Sequence, residues 1–316
     1  QQQQHPPHKV NPSLRSSSLT ISPITISPSI YCPYKKPMLC KARSIPKLKS
    51  AAKEIESYSD SSTGKVDILS LDLSSKDFGK TAKKIEELVS ARGAPKILFN
   101  VAGTSSAATF LDTPIEEFDR LIDINYLGSA YATKAFLPHM IKSNATNKSK
   151  SQIVLTSSAA GQIGVFGYTA YSASKFAVRG FGEVLNQECY NDGIGVTVAY
   201  PPDTDTPGFA EENKSKPEET RLISESAGLF TAENVAGKMV RSACNGDNLV
   251  YWGVEGWMLS MSSAGMSACD NLFDFSSQVL LNGLLRFIGL FYLADFRRII
   301  RGVWRKRKNE TGSEVK

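Results

Sequence analysis

The chain has 316 residues, of which 41% are hydrophobic and 22% are charged. This composition is that of a globular protein with a sizeable core, and it excludes collagen, a coiled coil and a chain that is disordered throughout. Five widely spaced cysteines without a CxxC pair argue against a disulfide framework and a cysteine-bound zinc site. His139 is the only histidine in the body of the chain, which argues against a His-based triad or a His-rich metal site.

The net charge of +6 comes from one cluster near the C-terminus. Seven basic residues occur within twelve positions: Arg297, Arg298, Arg301, Arg305, Lys306, Arg307 and Lys308. The chain without this cluster is close to neutral, so its charge does not predict nucleic-acid binding.

Residues 1–37 form a leader of low complexity. They open with four glutamines and hold seven of the fifteen prolines, so we expect them to be disordered. No acidic residue precedes Glu54, and an acid-poor leader with Ser and Arg is also typical of an organelle transit peptide. A third interpretation is an incomplete or wrongly joined start, since the chain does not begin with methionine.

From residue 38, short apolar runs alternate with amphipathic stretches. The pattern predicts strands over residues 66–71, 96–101, 152–157, 195–199 and 249–252. It predicts helices over residues 45–58, 75–92, 114–139, 171–190 and 232–243. Strands that alternate with helices of this length form βαβ units, so we expect one α/β domain over residues 38–253 with a parallel sheet covered on both faces.

Residues 254–316 break this alternation. Three uncharged or apolar stretches follow one another, over residues 256–269, 275–285 and 287–294, and Arg286 separates the last two. None reaches the roughly 20 apolar residues of a clean membrane span. We therefore expect an amphipathic helix at a membrane surface, with the basic cluster on anionic headgroups. A core helix followed by a solvated charged tail is the alternative.

The sharpest chemical signal is Tyr171-Ser-Ala-Ser-Lys175. A spacing of four residues places the phenol and the ammonium on one face of a helix. A phenol has a pKa of about 10 and is a poor acid or base at neutral pH, whereas a neighbouring cation stabilises the phenolate and lowers that pKa. On its own, this pattern is common on solvated helix faces.

Other polar residues accompany this pair. Ser158 ends an apolar strand thirteen residues upstream, where its hydroxyl can hydrogen-bond the substrate oxygen that Tyr171 protonates. Asn125 lies inside a predicted helix, where an amide is a weak choice unless its side chain or the local backbone has a task. Asn100-Val-Ala-Gly103 closes another strand at the edge where ligands bind in such sheets.

The order of these motifs, followed by a proline-rich turn after the next strand, resembles the short-chain dehydrogenase/reductase family. The resemblance extends from about residue 38 to residue 252. It implies that Tyr171 is the general acid, that Lys175 modulates its pKa and binds the cofactor ribose, and that Ser158 polarises the carbonyl. It also implies that Asn125 anchors a proton-relay water and that a nicotinamide dinucleotide supplies the hydride.

A narrower resemblance comes from three features of the sequence: GYTAYSASK, the turn PPDTDTPG at residues 201–208, and the apolar C-terminal stretch. Together they are similar to the branch of this family that reduces 3-ketodihydrosphingosine with NADPH. The resemblance implies that Arg43 and Lys47 pair with the 2′-phosphate of NADPH and that Asp72 contacts its adenine. It also implies cofactor contacts from Asn100, Gly103 and Thr206.

The family's site begins with a strand and a glycine-rich turn that hold the pyrophosphate. The first glycine of this chain is Gly64, already past the expected second strand. We therefore expect a Rossmann-like, doubly wound parallel sheet that is N-terminally truncated, with the first strand and the glycine-rich turn absent, and with an apolar C-terminal extension. Either the sequence is an incomplete or mis-assembled version of a working reductase, or the chain is a degraded homologue with weakened NADPH binding.

The resemblance thus implies NADPH-dependent reduction of the long-chain keto-sphingoid substrate 3-ketodihydrosphingosine to dihydrosphingosine. Two alternatives are a reductase of another lipid-like ketone, such as a steroid or retinoid, and a non-catalytic membrane-associated homologue. The expected location is the cytosolic face of the endoplasmic reticulum membrane, or an organelle if the leader is a transit peptide. The expected partners are the substrate and a membrane surface, with no nucleic acid and no metal, and the family resemblance favours a homodimer.

Overall fold

The computed structural model describes residues 39–42, 49, 67–70, 78–225 and 228–313, and the side chains of residues 78–225 and 228–310. Eight strands lie in these ranges: β1 Leu39–Ala42, β2 Asp67–Ser70, β3 Ile97–Asn100, β4 Ser151–Thr156, β5 Ile194–Ala199, β6 Thr204–Asp205, β7 Phe230–Thr231 and β8 Leu249–Val250. All pairings between them are parallel. The predicted alternation of strands and helices is confirmed.

The main sheet has the order β3-β4-β5-β8, and β1 pairs with β2 in a second sheet. The register aligns Asn100 with Leu155 and Thr156 with Ala199 at the carboxyl ends of adjacent strands. A doubly wound sheet would have one more strand between β1 and β3, and none of the described residues occupies that position. The truncation of the sheet stays a prediction.

Nine helices lie in the described ranges: α1 Phe78–Arg92, α2 Ile115–Leu121, α3 Gly128–Asn147, α4 Thr169–Glu188, α5 Pro207–Glu212, α6 Glu218–Glu225, α7 Ala232–Asn245, α8 Gly253–Ser262 and α9 Leu272–Ser313. The helix predicted over residues 45–58 lies outside the described residues except for residue 49. The short elements β6, α5, α6 and β7 have no counterpart in the sequence prediction, because each is too short to carry a periodic pattern.

The core has one apolar layer on each face of the main sheet. Phe136 and Met140 of α3 and Val178 of α4 pack with Ile153 on one face, and all four are at most 1% exposed. On the other face, residues of α7 pack against Val154 and neighbouring strands. The strands read as continuous apolar runs because both of their faces are covered.

The single helix predicted over residues 114–139 is wrong in two respects. A π-helical turn, Ile122–Leu127, separates α2 from α3, and α3 continues past Pro138 to Asn147. The helix ends at Lys148, whose φ of 47° is left-handed, and the backbone N–H of Lys148 donates to the Asn144 carbonyl. A π-helical turn contains about one residue more than an α-helical turn. The side chains of α3 therefore point in other directions than they would in an unbroken α-helix.

The apolar C-terminal extension is confirmed, but its helix is longer than the sequence pattern indicated. Helix α9 is a single helix of 42 residues that runs unbroken through Arg286, instead of separate short apolar segments. In the described part of the chain, its span Leu272–Glu310 is the one helix that is long and apolar enough to cross a membrane, judged by length and composition. Only 6% of its apolar window is buried, in contrast to the core helix named as an alternative.

Candidate active site

A large cleft opens at the carboxyl ends of β3, β4 and β5, where ligands bind in sheets of this kind. Its volume is about 1860 Å³. The predicted residues Gly103, Ser158, Tyr171, Lys175 and Thr206 all line it. The structure therefore brings together residues that are up to 103 positions apart in the sequence.

Ser158 and Tyr171 meet at the base of this cleft. Ser158 follows β4 and begins a short 3₁₀ turn, in which its Oγ accepts a hydrogen bond of 3.2 Å from the Ala160 N–H. Tyr171 lies in the first turn of α4, and burial raises the pKa of its phenol above the ordinary value, while a side-chain hydrogen bond with Ser158 acts in the opposite direction. A carbonyl oxygen placed between these two hydroxyls would accept from both.

Lys175 lies one helical turn beyond Tyr171. Its Nζ is 5.8 Å from the centroid of the Tyr171 ring and donates a hydrogen bond of 3.0 Å to the Thr156 carbonyl oxygen at the end of β4. The side chain is buried, and burial lowers its pKa to about 8. The predicted spacing on one helix face is therefore present.

The pKa of the Tyr171 phenol is shifted in the direction opposite to the one we predicted. We expected Lys175 to bring the pKa of Tyr171 down, whereas the structure raises it. The physical reason is burial, which disfavours the charged form of both groups: the phenolate of Tyr171 and the ammonium of Lys175. A phenol that stays protonated at neutral pH is suited to donate a proton.

Asn125 lies in the π-helical turn and is almost completely buried. Its Oδ1 accepts from the Thr104 N–H at 2.8 Å, and its Nδ2 donates to the Thr104 carbonyl and to the Ser174 Oγ, both at 2.9 Å. The amide therefore fixes the loop after β3 to helix α4, next to Lys175. The sequence analysis expected either the Asn125 side chain or its local backbone to have a special role. Both do: the side chain connects two elements, and the backbone forms a π-helical turn.

Gly103 keeps space open beside Lys175. A Cβ on Gly103 would lie 3.1 Å from Asn125 Oδ1 and 3.3 Å from Lys175 Nζ, closer than ordinary contact. This tight surface next to a lysine ammonium is compatible with the ribose of a nicotinamide cofactor lying against the glycine backbone.

The other predicted cofactor residues are placed differently. The Asn100 side chain points to α3 and donates to Thr133 Oγ1 at 3.0 Å, so it does not line the cleft. Thr206 lines the cleft and begins α5, where its Oγ1 accepts from the Phe209 N–H at 3.2 Å. The predicted residues Arg43, Lys47 and Asp72 lie outside the described residues.

The structure adds a polar cluster that the sequence reasoning missed. The hydroxyl of Tyr168 donates to the Glu212 carboxylate, and Lys216 Nζ lies 3.0 Å from Glu212 Oε1 and 3.6 Å from Asp203 Oδ2. The Tyr168 and Tyr171 rings are in contact, with centroids 5.2 Å apart. The acidic and basic residues after the proline-rich turn were the available signal, but nothing in their spacing indicates that they return to Tyr171.

Helix α9 contributes a second unpredicted part of the site. One of its faces lines the cleft with Leu285, Ile288, Gly289, Tyr292 and Phe296. Their spacing of three and four residues is that of a single helix face. The Tyr292 hydroxyl donates to Glu255 Oε1 of α8 at 3.3 Å. The C-terminal segment is therefore a wall of the cleft, and this wall is apolar apart from the Tyr292 hydroxyl.

The basic end of α9 contacts the protein itself. Arg307 donates two hydrogen bonds of 2.8 Å to the carboxylate of Glu219, which is 2% exposed, and Lys306 Nζ lies 3.3 Å from Glu218. Both glutamates belong to α6. We expected the whole basic cluster to face lipid headgroups, but because α9 is continuous it brings these two residues back onto α6.

A model of the short chain dehydrogenase family matches residues 36–217. With a site of this geometry on a parallel α/β sheet, the chain belongs to the short-chain dehydrogenase family. It is an oxidoreductase, and a nicotinamide cofactor is the cofactor class that the family supports.

The chain is similar over most of its length to several curated relatives. A 3-dehydrosphinganine reductase of Danio rerio is 43% identical over 82% of this chain and 76% of its own. A 3-ketodihydrosphingosine reductase of Bos taurus is 42% identical over 85% of this chain and 80% of its own. The fold resembles an archaeal alcohol dehydrogenase from Thermococcus sibiricus, solved with 5-hydroxy-NADP, with a TM-score of 0.53 and 20% identity, over 65% of this chain and 78% of that one.

Proposed function

We propose that the protein reduces the 3-keto group of 3-ketodihydrosphingosine to the alcohol of dihydrosphingosine, with NADPH as hydride donor. The observation that carries the proposal is the convergence of Ser158, Tyr171 and Lys175 in one cleft that is also lined by the apolar helix α9. The names of the relatives that are 42–43% identical support the same substrate.

In this reaction Ser158 and Tyr171 hold the carbonyl oxygen between their hydroxyls. As the carbonyl carbon is reduced, the oxygen becomes an alkoxide, which is a stronger base than a phenolate, so the proton moves from the Tyr171 hydroxyl to that oxygen. Burial keeps this proton on the phenol until then. Asn125 positions the Thr104 loop and Ser174 beside this pair and, we propose, anchors the proton-relay water.

NADPH, when bound, supplies the hydride. Lys175 and Tyr171 would hold its ribose beside Gly103, Thr206 would contact it from the cleft wall, and Asn100 is kept as a proposed contact through its backbone only. Arg43 and Lys47 are proposed to bind its 2′-phosphate and Asp72 its adenine.

The long alkyl chain of the substrate would lie along the cleft face of α9, against Leu285, Ile288 and Phe296. Burying each methylene of such a chain is favourable by roughly 0.8 kcal/mol. The outward side of α9 is also apolar, with Phe287 and Phe291 more than half exposed. This arrangement supports entry of the substrate from a lipid layer into the cleft.

The relatives and the long apolar helix together suggest membrane association. We further propose that the protein acts at the cytosolic face of the endoplasmic reticulum membrane, as a homodimer. The proposed organisation is a leader over residues 1–37, the reductase domain over residues 38–253 and the membrane-associating segment over residues 254–316.

The test is a product analysis with the full-length protein in lipid vesicles. NADPH is supplied with 3-ketodihydrosphingosine or, separately, with a steroid ketone, and the products are identified by mass spectrometry. We expect dihydrosphingosine to form in step with NADPH consumption and the steroid to stay unchanged. Faster reduction of the steroid ketone, or no dihydrosphingosine despite bound NADPH, would contradict the proposal.

A further inference from the structure

The cluster of Tyr168, Asp203, Glu212 and Lys216 lies directly beside the proposed general acid. The rings of Tyr168 and Tyr171 are 5.2 Å apart between centroids, and the Tyr168 hydroxyl is bound to Glu212. The charges of Glu212 and Asp203 are close enough to Tyr171 to raise the pKa of its phenol. Both carboxylates line the same cleft as Tyr171.

The charges inside this cluster do not balance. Lys216 is the cation for two carboxylates, at 3.0 Å from Glu212 and 3.6 Å from Asp203. Its side chain is 1% exposed and those of Glu212 and Asp203 are 9% and 27% exposed. With all three groups ionised, one negative charge remains uncompensated within the cluster, at the wall of the cleft. An uncompensated buried charge is costly unless a ligand or a partner of opposite charge meets it.

The cleft wall as a whole carries an excess of acidic residues. Among the described residues that line the cleft, six are acidic and two are basic: Glu116, Glu117, Asp203, Glu211, Glu212 and Glu255 against Arg120 and Lys175. Two of the acidic residues have a basic partner of their own, Glu117 in Arg120 and Glu211 in Lys214, both at 2.5 Å. The lining of the cleft as a whole is therefore more acidic than basic and is complementary to a cationic ligand, whereas a neutral ketone such as a steroid gains nothing from that charge.

We propose that Glu212 and Asp203 form a subsite that binds the ammonium group of the substrate and makes the enzyme selective for 2-amino ketones. The inference rests on the proposed function, because in 3-ketodihydrosphingosine the amine is on the carbon next to the ketone. With the ketone oxygen between Ser158 and Tyr171, that amine lies one carbon away from the reacting centre. Glu212 is bound to Tyr168, whose ring contacts that of Tyr171, so the proposal places the ammonium beside this cluster.

The remaining members of the cluster hold this subsite in place. Lys216 lies over the Phe209 ring, with Nζ 4.7 Å from its centroid, and keeps the two carboxylates close together although they repel each other. Tyr168 donates to Glu212 and orients its carboxylate. An alternative is a cluster that only fixes α5 against α4, and this alternative predicts no preference for a charged ligand.

Binding of two product-like ligands separates these possibilities without any turnover. The ligands are a short-chain dihydrosphingosine, which carries an ammonium, and its N-acetyl derivative, which is neutral. Binding to the full-length protein is followed by tryptophan fluorescence, because Trp252, one of the chain's three tryptophans, lines the cleft. A buried hydrogen bond between charged groups contributes roughly 1.5–3 kcal/mol, so we expect the ammonium ligand to bind about 10- to 100-fold more tightly.

Glu212→Gln keeps the shape of the side chain and its bond from Tyr168, and we expect it to reduce the preference to within about threefold. Asp203→Asn tests the second carboxylate if Glu212→Gln does not fold. The matched control is Glu225→Gln, because Glu225 is an exposed glutamate paired with Arg221 and does not line the cleft. This control is expected to keep the full preference.

Equal affinity of the two ligands for the wild-type protein would overturn the subsite, and so would an unchanged preference in folded Glu212→Gln and Asp203→Asn. Failure of the proposed function gives a different result: no reduction of 3-ketodihydrosphingosine, with the ammonium preference still present. Turnover of that ketone without any ammonium preference would contradict the subsite alone.

Discussion

Burial acts on both titratable groups at the centre of the site and favours the neutral form of each. It raises the pKa of the Tyr171 phenol and lowers the pKa of the Lys175 ammonium to about 8. In the direction of reduction, Tyr171 must begin with its proton, so the raised pKa serves the acid role. The sequence motif predicts which residues meet, whereas the direction of these shifts depends on solvent exclusion, which no local spacing encodes.

Gly103 provides the residue-scale prediction. In Gly103→Ala the new Cβ would press on Asn125 Oδ1 and Lys175 Nζ, which must move by a few tenths of an ångström. We expect the KM for NADPH to rise several-fold, because Lys175 is proposed to bind the ribose, with little change in melting temperature. Steady-state kinetics with varied NADPH measure this effect.

The control for this substitution is Gly180→Ala in α4, where a Cβ meets no atom within 4 Å. It should leave the KM unchanged and stabilise the helix by roughly 0.5–1 kcal/mol. A Gly103→Ala protein with an unaltered KM for NADPH would show that the space beside Lys175 is not used by the cofactor.

At the scale of elements, α9 combines two tasks on different sides of one helix. One side closes the cleft, while the other exposes Leu280, Leu284, Phe287 and Phe291, again at intervals of three and four residues. A helix that is apolar on both sides is unsuited to water unless something covers the outer side. In our account lipid covers the outward side. Because both sides of α9 are apolar, the helix shows little of the amphipathic pattern that we expected from the sequence.

We expect Phe291→Asp to weaken binding to lipid vesicles about tenfold or more, because it places a carboxylate in the outward apolar side. Phe291 is 63% exposed, so the fold has little need of it. Flotation of the protein with vesicles measures the bound fraction. The matched control is Leu111→Asp, since Leu111 is 92% exposed and apolar but lies outside α9. If both variants float like the wild type, the outward side of α9 does not contact lipid.

At the scale of the whole molecule, the sequence predicted the parallel α/β sheet and the identity of the residues at its carboxyl edge. These features depend on repeated patterns of apolar residues and on motifs at strand ends, which are local. It did not predict that α9 returns to the cleft or that Arg307 binds Glu219 of α6, because contacts between residues 88 positions apart leave no periodic signal. For the same reason, the sequence did not predict the cluster of Tyr168, Asp203, Glu212 and Lys216.

Long-range contacts also connect the C-terminal helices to the site. Arg307 and Lys306 tie the end of α9 to α6, and α6 supplies Ile223 and Ser224 to the cleft wall. Arg179 of α4 donates to the carbonyls of Ser263 and Ala264 after α8, at 2.6 and 3.1 Å. The segment after α8 is thus attached to α4, the helix that carries Tyr171 and Lys175, while the end of α9 is attached to α6.

The central claim is that the Tyr171 hydroxyl protonates the ketone oxygen, and one measurement tests it most directly. It is the rate of NADPH oxidation by full-length Tyr171→Phe with 3-ketodihydrosphingosine, beside Tyr190→Phe, whose tyrosine is 82% exposed and does not line the cleft. Loss of a positioned general acid lowers turnover by roughly 10²- to 10⁴-fold, so we expect a loss of that size in Tyr171→Phe and none in Tyr190→Phe, with unchanged circular dichroism in both. A folded Tyr171→Phe protein that keeps more than about a tenth of the wild-type turnover would contradict the account.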